Sequence, residues 1–397
     1  MEQDNKYQIS PDMNKESLLC KIFVFIVFVF LMSSLNAQSN SIQPGSLTVD
    51  SVERYNESGY FTNMYESVHP EFSFAGNTKR DFEKWHNRML PHLKQTLGLD
   101  KLNLQYEHYK LRFEKKVIAD SGTFIIEKWI VWTEPTVPLP VIVLIPKNKA
   151  GKIPLIIATH GHGKNADLYD GIYPNVFGIN STSKDISIAR QAVNEGYIAI
   201  APTMRAFGDT RTEEDKKAGN SFSCHTQLMR DLLAGRAPIG DRVWDMSKIL
   251  DWAIQNFPVD TNKIAISGNS GGGTVSLFAA ACDNRIKVAV PSSYFCTFTG
   301  SIGSIPHCDC NYIPGILESG EMADIAGLIA PRPLCIVHGK EDPIFPINET
   351  RKAFKNLKTI YTSAGAADLV ELYEGNGGHQ YYKEGAWAFI NKYIRKQ

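Results

Sequence analysis

The feature that most constrains the fold is a series of short, continuous apolar segments after Pro154. They are Leu155–Thr159, Tyr197–Ala201, Ile264–Ser267, Val288–Pro291 and Leu334–His338. Runs of this kind are typical of strands that are buried on both faces of a parallel sheet. Segments of helical character, such as Ser187–Glu195 and Asp241–Phe257, lie between them. The alternation predicts an α/β fold with helices on both faces, whose reactive groups lie beyond the carboxyl ends of the strands.

The residues before Pro154 predict an antiparallel addition to this sheet. Leu111–Ala119, Thr123–Trp132 and Pro140–Ile145 are rich in Val, Ile, Phe and Trp, and their links are short. Such segments are typical of a meander. The expectation is therefore a mostly parallel central sheet with an antiparallel meander at its N-terminal side.

A region without strand character precedes the meander. Residues 38–76 show no clear periodicity and predict an irregular entry. Asn77–Leu97 is helical in character, with Phe82, Trp85 and Met89 on one stripe. Pro91 is expected to kink or divide this helix, because proline removes a backbone hydrogen bond.

The N-terminus has the pattern of an export signal. Lys21 precedes the apolar run Ile22–Met32, which is followed by small and polar residues up to Ala37. The run is too short to cross a bilayer, which takes about 20 residues. The order fits a secretory signal cut after Ala37. An uncleaved anchor is the alternative.

We therefore expect three parts in the chain. Residues 1–37 are the signal peptide, 38–110 an irregular and helical extension, and 111–397 one α/β domain. The mature protein is expected to be secreted or periplasmic.

Charge and composition exclude several classes of partner. The chain has 397 residues, with 42 basic and 42 acidic side chains and 43% hydrophobic residues. These values exclude a disordered chain and a polytopic membrane protein. The zero net charge argues against a nucleic-acid binder, which would carry a basic stripe. We expect no nucleic-acid partner and, once the signal is cleaved, no membrane partner. The oligomeric state stays open.

The cysteines leave their chemistry open. Six of the seven lie after Ala37, and the sequence cannot choose among their pairings. Cys308-Asp309-Cys310 suggests a metal site, but no second close pair of Cys or His completes a zinc set. We therefore expect no metal.

The strongest chemical signal is Gly268-Asn269-Ser270-Gly271-Gly272. It follows the predicted strand that ends at Ser267 and precedes a helix of small residues, Thr274–Ala281. This is the strand–turn–helix setting of a G-x-S-x-G nucleophile elbow. The turn is tight, so its flanking positions require residues without a β-carbon. Ser270 is the predicted nucleophile.

A serine nucleophile needs a base, and the base needs a carboxylate. His379 lies in a glycine-rich turn just after the predicted strand Leu369–Tyr373. Asp342 follows the strand Leu334–His338 and precedes Pro343, which restricts its backbone to an extended form. The order Ser270, Asp342, His379 is that of the α/β-hydrolases.

Alternatives remain for two of these roles. Glu341 is the alternative acid, because it adjoins Asp342. His225 and His307, which lie in inserted loops, are alternative bases. His338 ends a buried strand and is interpreted as structural.

The loop His160-Gly161-His162-Gly163 follows the predicted strand Leu155–Thr159. An acyl-transfer site must hold a developing oxyanion with fixed donors. We predict that the backbone amides of Gly271 and His162 provide them. Two histidines two residues apart also suggest a metal site, but the sequence places no third ligand.

At this point the sequence resembles the α/β-hydrolase superfamily, in particular secreted bacterial esterases related to acetylxylan esterases and dienelactone-hydrolase-like proteins. The resemblance covers roughly residues 80–395. It depends on HGHG (160–163), RAFGDT (205–210), GNSGG (268–272), APRPLCIVHGKEDPIFP (330–346) and GGH (377–379). It implies hydrolysis of carboxylic esters without a cofactor. It also implies that Arg205 braces the top of the sheet near the triad.

Two stretches are longer than simple connections, Met204–Gly240 and Ser292–Gly320. Long loops in compact domains are often functional, so these could wall or cap the pocket. Arg205, Tyr294, His307 and Tyr312 are the candidate pocket residues. A solvated insertion is the alternative reading of both stretches.

The expected function is a secreted serine esterase that removes small acyl groups, such as acetyl, from a carbohydrate. A glucuronoyl-type esterase is the nearest alternative, differing mainly in pocket cations. A prolyl-oligopeptidase-like peptidase shares the triad order but requires a propeller of many short strands. A non-enzymatic carbohydrate-binding module would be expected to lack a triad member.

Overall fold

The structure is a computed structural model that describes residues 56–147, 149–162 and 187–395. The chain divides into two compact units, Met1–Thr62 and Asn63–Gln397. The predicted signal peptide and Gly163 of the HGHG loop lie outside the described residues.

The described residues contain nine strands in a single sheet. In chain order they are β1 (Arg112–Asp120), β2 (Phe124–Glu134), β3 (Val137–Pro146), β4 (Ile153–Thr159), β5 (Ile198–Pro202), β6 (Val259–Asn269), β7 (Val288–Ser292), β8 (Leu334–Gly339) and β9 (Val370–Gly375). Their spatial order is β1-β2-β3-β5-β4-β6-β7-β8-β9. The pairs among β1, β2, β3 and β5 are antiparallel, and all pairs from β5 to β9 are parallel. The predicted parallel sheet with an N-terminal antiparallel meander is confirmed.

Helices cover this sheet. They are α1 (Glu57–Glu66), α2 (Lys79–Thr96), α3 (Leu99–Gln105), α4 (Ile188–Asn194), α5 (Glu213–Lys217), α6 (Cys224–Ala234), α7 (Pro238–Asn256), α8 (Gly271–Cys282), α9 (Ile316–Ser319), α10 (Met322–Gly327), α11 (Ile347–Ser363) and α12 (Lys383–Ile394). Short 3₁₀ turns lie at Gly208–Thr210, Asp309–Asn311 and Ala367–Leu369. Among the residues described, no helix has the length and apolar character that crossing a membrane requires.

Strand β4 shows why its sequence is continuously apolar. Leu155 and Ile157 point into the larger hydrophobic core, whereas Ile156 and Ala158 point into a second core on the opposite face. All four are buried. Because both faces of the sheet are covered, the strand has no solvent-facing side on which polar residues could alternate.

Two expectations for the N-terminal region need correction. Helix α2 is not divided at Pro91 but runs through it as one helix of 18 residues. Met89 and Leu93, one turn apart on either side of Pro91, are fully buried and hold the helix against the core. Helix α1 was missed within the irregular entry because none of its residues is buried, so it carries no apolar stripe.

The helical part of the predicted extension shares the larger core with the sheet. Trp85, Met89 and Leu93 of α2 belong to the same cluster as Leu155 of β4 and Phe278 of α8. These residues lie within the unit Asn63–Gln397.

Candidate active site

The candidate site lies where parallel strands end. Strands β4, β6, β8 and β9 are parallel, so their carboxyl ends meet at one edge of the sheet. His162, Ser270, Asp342 and His379 each follow one of these strands within a few residues. The topology thus brings four segments that are distant in sequence to one edge.

Ser270 occupies a strained turn between β6 and α8. Its backbone has φ 58° and ψ −121°, a conformation that a non-glycine residue rarely adopts. Its amide donates to the carbonyl of Ser292, at 2.9 Å. A β-carbon on Gly268 or Gly272 would lie 2.2 Å from Thr159 Oγ1 or 2.1 Å from Thr159 O, respectively. The glycines are therefore required because the end of β4 passes directly beside the turn.

Asp342 and His379 form a hydrogen-bonded pair. Asp342 Oδ2 lies 2.8 Å from His379 Nδ1, and the Asp342 side chain is fully buried. The other carboxylate oxygen accepts from the amides of Ile344 and Phe345, each at 3.1 Å. An acceptor at Nδ1 places the proton of a neutral imidazole there, which leaves Nε2 free to accept one.

Aromatic packing fixes the ring of His379. The ring of Phe345 stacks on it with centroids 5.9 Å apart and planes 14° from parallel. Glu341, the alternative acid, is exposed, and the carboxylate that contacts His379 is that of Asp342. Among the described residues, no hydrogen bond joins the Ser270 hydroxyl to His379. The role of the three residues as one triad stays a prediction.

The two histidines of the HGHG loop have different surroundings. His160 is buried; its Nε2 accepts from the amide of Met204 at 2.9 Å, and its Nδ1 lies 2.9 Å from Gly161 O. Burial lowers the pKa of His160 to about 4, so the ring is neutral. His160 therefore fastens the end of β4 to the segment after β5.

His162 contacts both the turn at Ser270 and a group of cysteines. A β-carbon on Gly271 would lie 2.6 Å from His162 Cε1, so the imidazole covers that glycine. His162 Nε2 lies 3.1 Å from Cys310 Sγ. Burial disfavours the imidazolium, but the charges of Cys310 and Cys224 and the hydrogen bonds to both together outweigh it and raise the pKa of His162 to about 9.

Sequence reasoning missed the group that His162 completes. The ligand atoms of His162, Cys224, Cys308 and Cys310 all lie within 4.8 Å of one another. No disulfide joins any cysteine of the described residues. The signal in the sequence was Cys308-Asp309-Cys310, but its partners lie far away along the chain and no spacing rule connects them. These four residues could hold a metal ion.

Arg205 lies in a buried group of carboxylates. It donates to both oxygens of Asp245 at 2.7 Å and to Asp241 at 3.2 Å, and it also pairs with Glu134. Arg236 contacts Glu134 and Asp241 from the other side. All three guanidinium nitrogens of Arg205 are therefore occupied. It braces β2 against α7, and its charge is already paired with carboxylates.

The other candidate pocket residues lie in three different settings. Tyr294 is only 1% exposed and packs between Phe278 and Phe345. His307 is half-buried, with Nε2 2.9 Å from Ser301 Oγ and its ring 4.9 Å from that of Phe345. Burial lowers the pKa of His307.

Tyr312 lines an apolar cavity of about 460 Å³ between the two insertions. Leu228 of the first insertion and Phe298, Ile302 and Ile313 of the second also line it. The side chain of His225, in the first insertion, meets Asp309 of the second at 3.0 Å. The two insertions therefore contact each other and both line an open apolar pocket.

The sheet order, the strained serine turn and the edge site together define an α/β-hydrolase. Residues 47–375 match the family model of the Abhydrolase family. Since this match spans most of the 397 residues, the chain belongs to that family. The predicted superfamily, and with it the hydrolase class of enzyme, is confirmed.

Individual proteins resemble the chain more distantly. It is 26% identical over 239 residues to YtaP of Bacillus subtilis (strain 168), named as a candidate hydrolase, which covers 59% of this chain and 75% of that protein. A solved structure from Bacteroides fragilis NCTC 9343, named as a candidate acetyl xylan esterase, has a TM-score of 0.67 at 20% identity and covers 84% of each chain. A glucuronoyl esterase from Teredinibacter turnerae T7901 has a TM-score of 0.57 at 15% identity and covers 83% of this chain and 89% of that one. At these identities the structural likeness shows the fold alone.

Proposed function

We propose that the protein is a serine hydrolase of carboxylic esters, with Ser270 as nucleophile, His379 as base and Asp342 as the orienting acid. The observation that carries the proposal is the hydrogen bond from His379 Nδ1 to the buried Asp342, at the same sheet edge as the strained turn of Ser270. A carboxylate in that position holds the imidazole in the tautomer that accepts a proton at Nε2.

The chemistry follows from these groups. His379 Nε2 takes the hydroxyl proton of Ser270 as Oγ attacks the ester carbonyl, and the imidazolium is stabilised by Asp342. The proton then passes to the leaving alcohol, which leaves an acyl-enzyme. Water attacks that acyl group with His379 again as base, which releases the acid and restores Ser270.

The tetrahedral intermediates need donors for their oxyanion. The amide of Gly271 is the first of helix α8, where unpaired N–H groups and the helix dipole favour negative charge. We place the second donor at the amide of His162, whose ring lies against Gly271. Loss of one such donor typically costs about 10²–10³-fold in kcat.

For the substrate we favour a small acyl group, such as acetyl, on a carbohydrate. The resemblance to acetylxylan esterases supports this choice, as does the structure from Bacteroides fragilis, which carries the name of such an enzyme. A glucuronoyl ester is the nearest alternative, because a glucuronoyl esterase shares the fold. It would require a pocket cation, and Arg205 does not offer one, since its guanidinium is neutralised by carboxylates.

Two further parts of the proposal concern the setting of the enzyme. The apolar run after Lys21 supports cleavage after Ala37 and a secreted or periplasmic location. A peptidase of the prolyl-oligopeptidase kind is disfavoured, because every strand of the described residues belongs to one sheet and forms no propeller blade.

The decisive experiment compares Ser270→Ala with the parent chain on p-nitrophenyl acetate. We expect kcat to fall by at least about 10⁴-fold, because removal of a nucleophile disables the whole triad. Ser304→Ala, which changes an exposed serine in the second insertion, is the matched control and should keep full activity. Retained hydrolysis in Ser270→Ala would refute the assignment.

A panel of substrates then separates the two ester classes. Acetylated, feruloylated and glucuronoyl esters are offered to the same preparation, and kcat/KM is compared. The proposal expects the acetylated carbohydrate to be preferred. A preference for the glucuronoyl ester would replace the substrate class but leave the triad in place.

A further inference from the structure

Two insertions and the HGHG loop meet at one point, and the side chains that meet there are metal ligands. Cys224 begins α6 in the first insertion; in the second, Cys308 precedes the 3₁₀ turn and Cys310 lies within it. His162 joins them from the loop after β4. Their ligand atoms lie within 4.8 Å of one another, with 3.1 Å from His162 Nε2 to Cys310 Sγ and 3.5 Å between the sulfurs of Cys308 and Cys310.

We propose that His162, Cys224, Cys308 and Cys310 bind one zinc ion as a structural site. Three cysteines and one histidine form one of the ligand sets that structural zinc takes in tetrahedral geometry. With Zn–S near 2.3 Å and Zn–N near 2.0 Å, the ligand atoms of such a site lie roughly 3.7 Å apart. The observed spacings require shifts of about 1 Å at most.

The positive charge of the neighbouring Arg242 is consistent with a zinc ion bound by thiolates, because that group is negative overall. Arg242 is fully buried, and its Nη2 lies 3.4 Å from Cys224 Sγ. Among the residues described, it has no carboxylate partner, and its Nε and Nη1 make no hydrogen bond. A buried guanidinium cannot lose its proton and needs an anion nearby.

A zinc ion with three thiolate ligands would provide the negative charge that Arg242 needs. Three thiolates, one Zn²⁺ and a neutral imidazole carry a net charge of −1, which one arginine cancels. Thiolate ligands select zinc over the oxygen-preferring cations Mg²⁺ and Ca²⁺. Because all four positions are taken by side chains, no coordination site is left for substrate. The ion therefore holds segments together and takes no part in ester hydrolysis.

The proposed zinc site would also affect catalysis. This effect, unlike zinc binding itself, rests on the proposed function. The ring of His162 covers Gly271, and the amides of both residues are the proposed oxyanion donors. A metal bond to His162 would fix that ring against the serine turn. It would also connect the two insertions, which line the apolar cavity, to the same loop.

Metal content is the direct test. The full chain is produced without a histidine tag in zinc-containing medium, freed of loose metal and analysed by elemental mass spectrometry. We expect about one zinc per chain. Cys308→Ser should lose it, whereas Cys282→Ser, which changes a half-buried thiol outside the group, should keep it. A parent chain without bound zinc, or a Cys308→Ser variant that retains it, overturns the proposal.

Affinity distinguishes ligands from neighbours. Competition with a fluorescent chelator should show zinc binding weakened by more than about 100-fold in Cys308→Ser. It should be weakened about 10–100-fold in Arg242→Met, because loss of an outer contact costs that much. Arg242→Lys, which keeps the charge, should recover part of the loss. Unchanged affinity in Arg242→Met would refute the charge argument.

Cobalt substitution reports the ligand set even if a variant folds poorly. Co²⁺ bound to the parent chain should show thiolate-to-metal charge-transfer absorption and the intense visible bands of tetrahedral cobalt. Alkylation of the chelated, unfolded chain without reductant should modify Cys224, Cys308 and Cys310. A disulfide among these three would overturn the proposal.

A final pair of measurements separates the zinc site from the proposed function. Ser270→Ala should bind zinc like the parent chain and lack hydrolysis. Chelation should lower kcat of the parent enzyme, and added zinc should restore it. Zinc binding in a parent chain without esterase activity would sink the proposed function and leave the zinc site standing. Full activity of the chelated enzyme would remove only the link between the two.

Discussion

Two buried arginines lie close together in this molecule and are neutralised in different ways. Arg205 is surrounded by the carboxylates of Glu134, Asp241 and Asp245. Arg242, which donates to the backbone carbonyl of Arg205, forms no ion pair with a carboxylate of the described residues and instead donates to Cys224 Sγ. Its flat face lies over the ring of Phe207, with Cζ 5.0 Å from the centroid.

The difference shows which buried arginine has all of its counter-ions within the chain. The Arg205 group contains its own counter-ions, and burial of such a pair is stable only while both partners remain. The Arg242 group relies on sulfur atoms, which are anionic only if something holds them so. The comparison therefore predicts that the first group is independent of metal and that the second depends on it.

The largest effect is expected from breaking the first group. Arg205→Met leaves Asp241 and Asp245 buried without their main counter-ion, and it should lower the free energy of unfolding by about 3–5 kcal/mol. Urea denaturation monitored by circular dichroism measures this. Arg88→Met removes an exposed ion pair and should change stability by less than about 1 kcal/mol. Equal losses in both variants would show that the buried Arg205 group stabilises the fold no more than an exposed ion pair does.

The second effect tests the metal dependence. Free zinc at one hundred times its Kd should raise the free energy of unfolding of the parent chain by about 2.7 kcal/mol. Arg205→Met should show the same increment, because its group contains no metal ligand. Cys308→Ser should show almost none. An increment that is the same in all three chains would contradict the comparison.

A further effect concerns Asp231, which lies beside the first group. Burial, followed by the charge of Asp241, raises the pKa of Asp231 to about 7. Between about pH 4 and pH 7, the Asp231 carboxyl in the folded protein therefore keeps a proton. In the unfolded chain, where its pKa is about 3.9, the same carboxyl has already lost it. The stability that this protonation contributes is complete below pH 4 and is lost as pH rises towards 7.

Asp231→Asn keeps the neutral form at every pH. It should match the parent chain near pH 4 and be more stable above pH 7, as measured by urea midpoints at both values. Asp368→Asn, which changes an exposed carboxylate, should show no such trend. A gain at pH 4 as large as that at pH 8 would exclude the titration of Asp231 as its cause.

The smallest effect is expected at the rim of the first group. Thr133 Oγ1 donates to Asp245 Oδ1 at 2.5 Å, and both side chains are buried. Thr133→Val removes one donor while Arg205 still bonds the same carboxylate, so we expect a loss of about 1–2 kcal/mol. Thr359→Val on the exposed side of α11 should stay within about 0.5 kcal/mol. A stability loss in Thr133→Val no larger than the loss in Thr359→Val would show that the donor is dispensable.

The sequence predicted strands better than it predicted helices near the N-terminus. Both-sided burial leaves a continuous apolar run, as in β4, and that pattern survives without any knowledge of neighbours. Helix α2 continues through Pro91 although proline removes one hydrogen bond, and Met89 and Leu93 on either side of it are fully buried. Local preference predicts such cases poorly, since tertiary packing decides them.

The candidate site divides in the same way. Ser270 was predictable because the glycines around it are a local requirement of the turn. Asp342 and His379 were predictable because each follows its own strand, and the structure adds the hydrogen bond between them. Cys224 could not be connected with His162 from the sequence, because they are joined only through the packing of two insertions against one loop.

By itself, the sequence determined the succession of strands along the chain and the three residues proposed for ester hydrolysis, because periodicity and turn chemistry are local. Only the tertiary structure decided which charges neutralise one another. It gave Arg205 its carboxylates and brought Cys224, Cys308 and Cys310 to His162 beside Arg242. The physical reason is that electrostatic and coordination partners are selected by distance in space, and spacing along the chain does not record that distance.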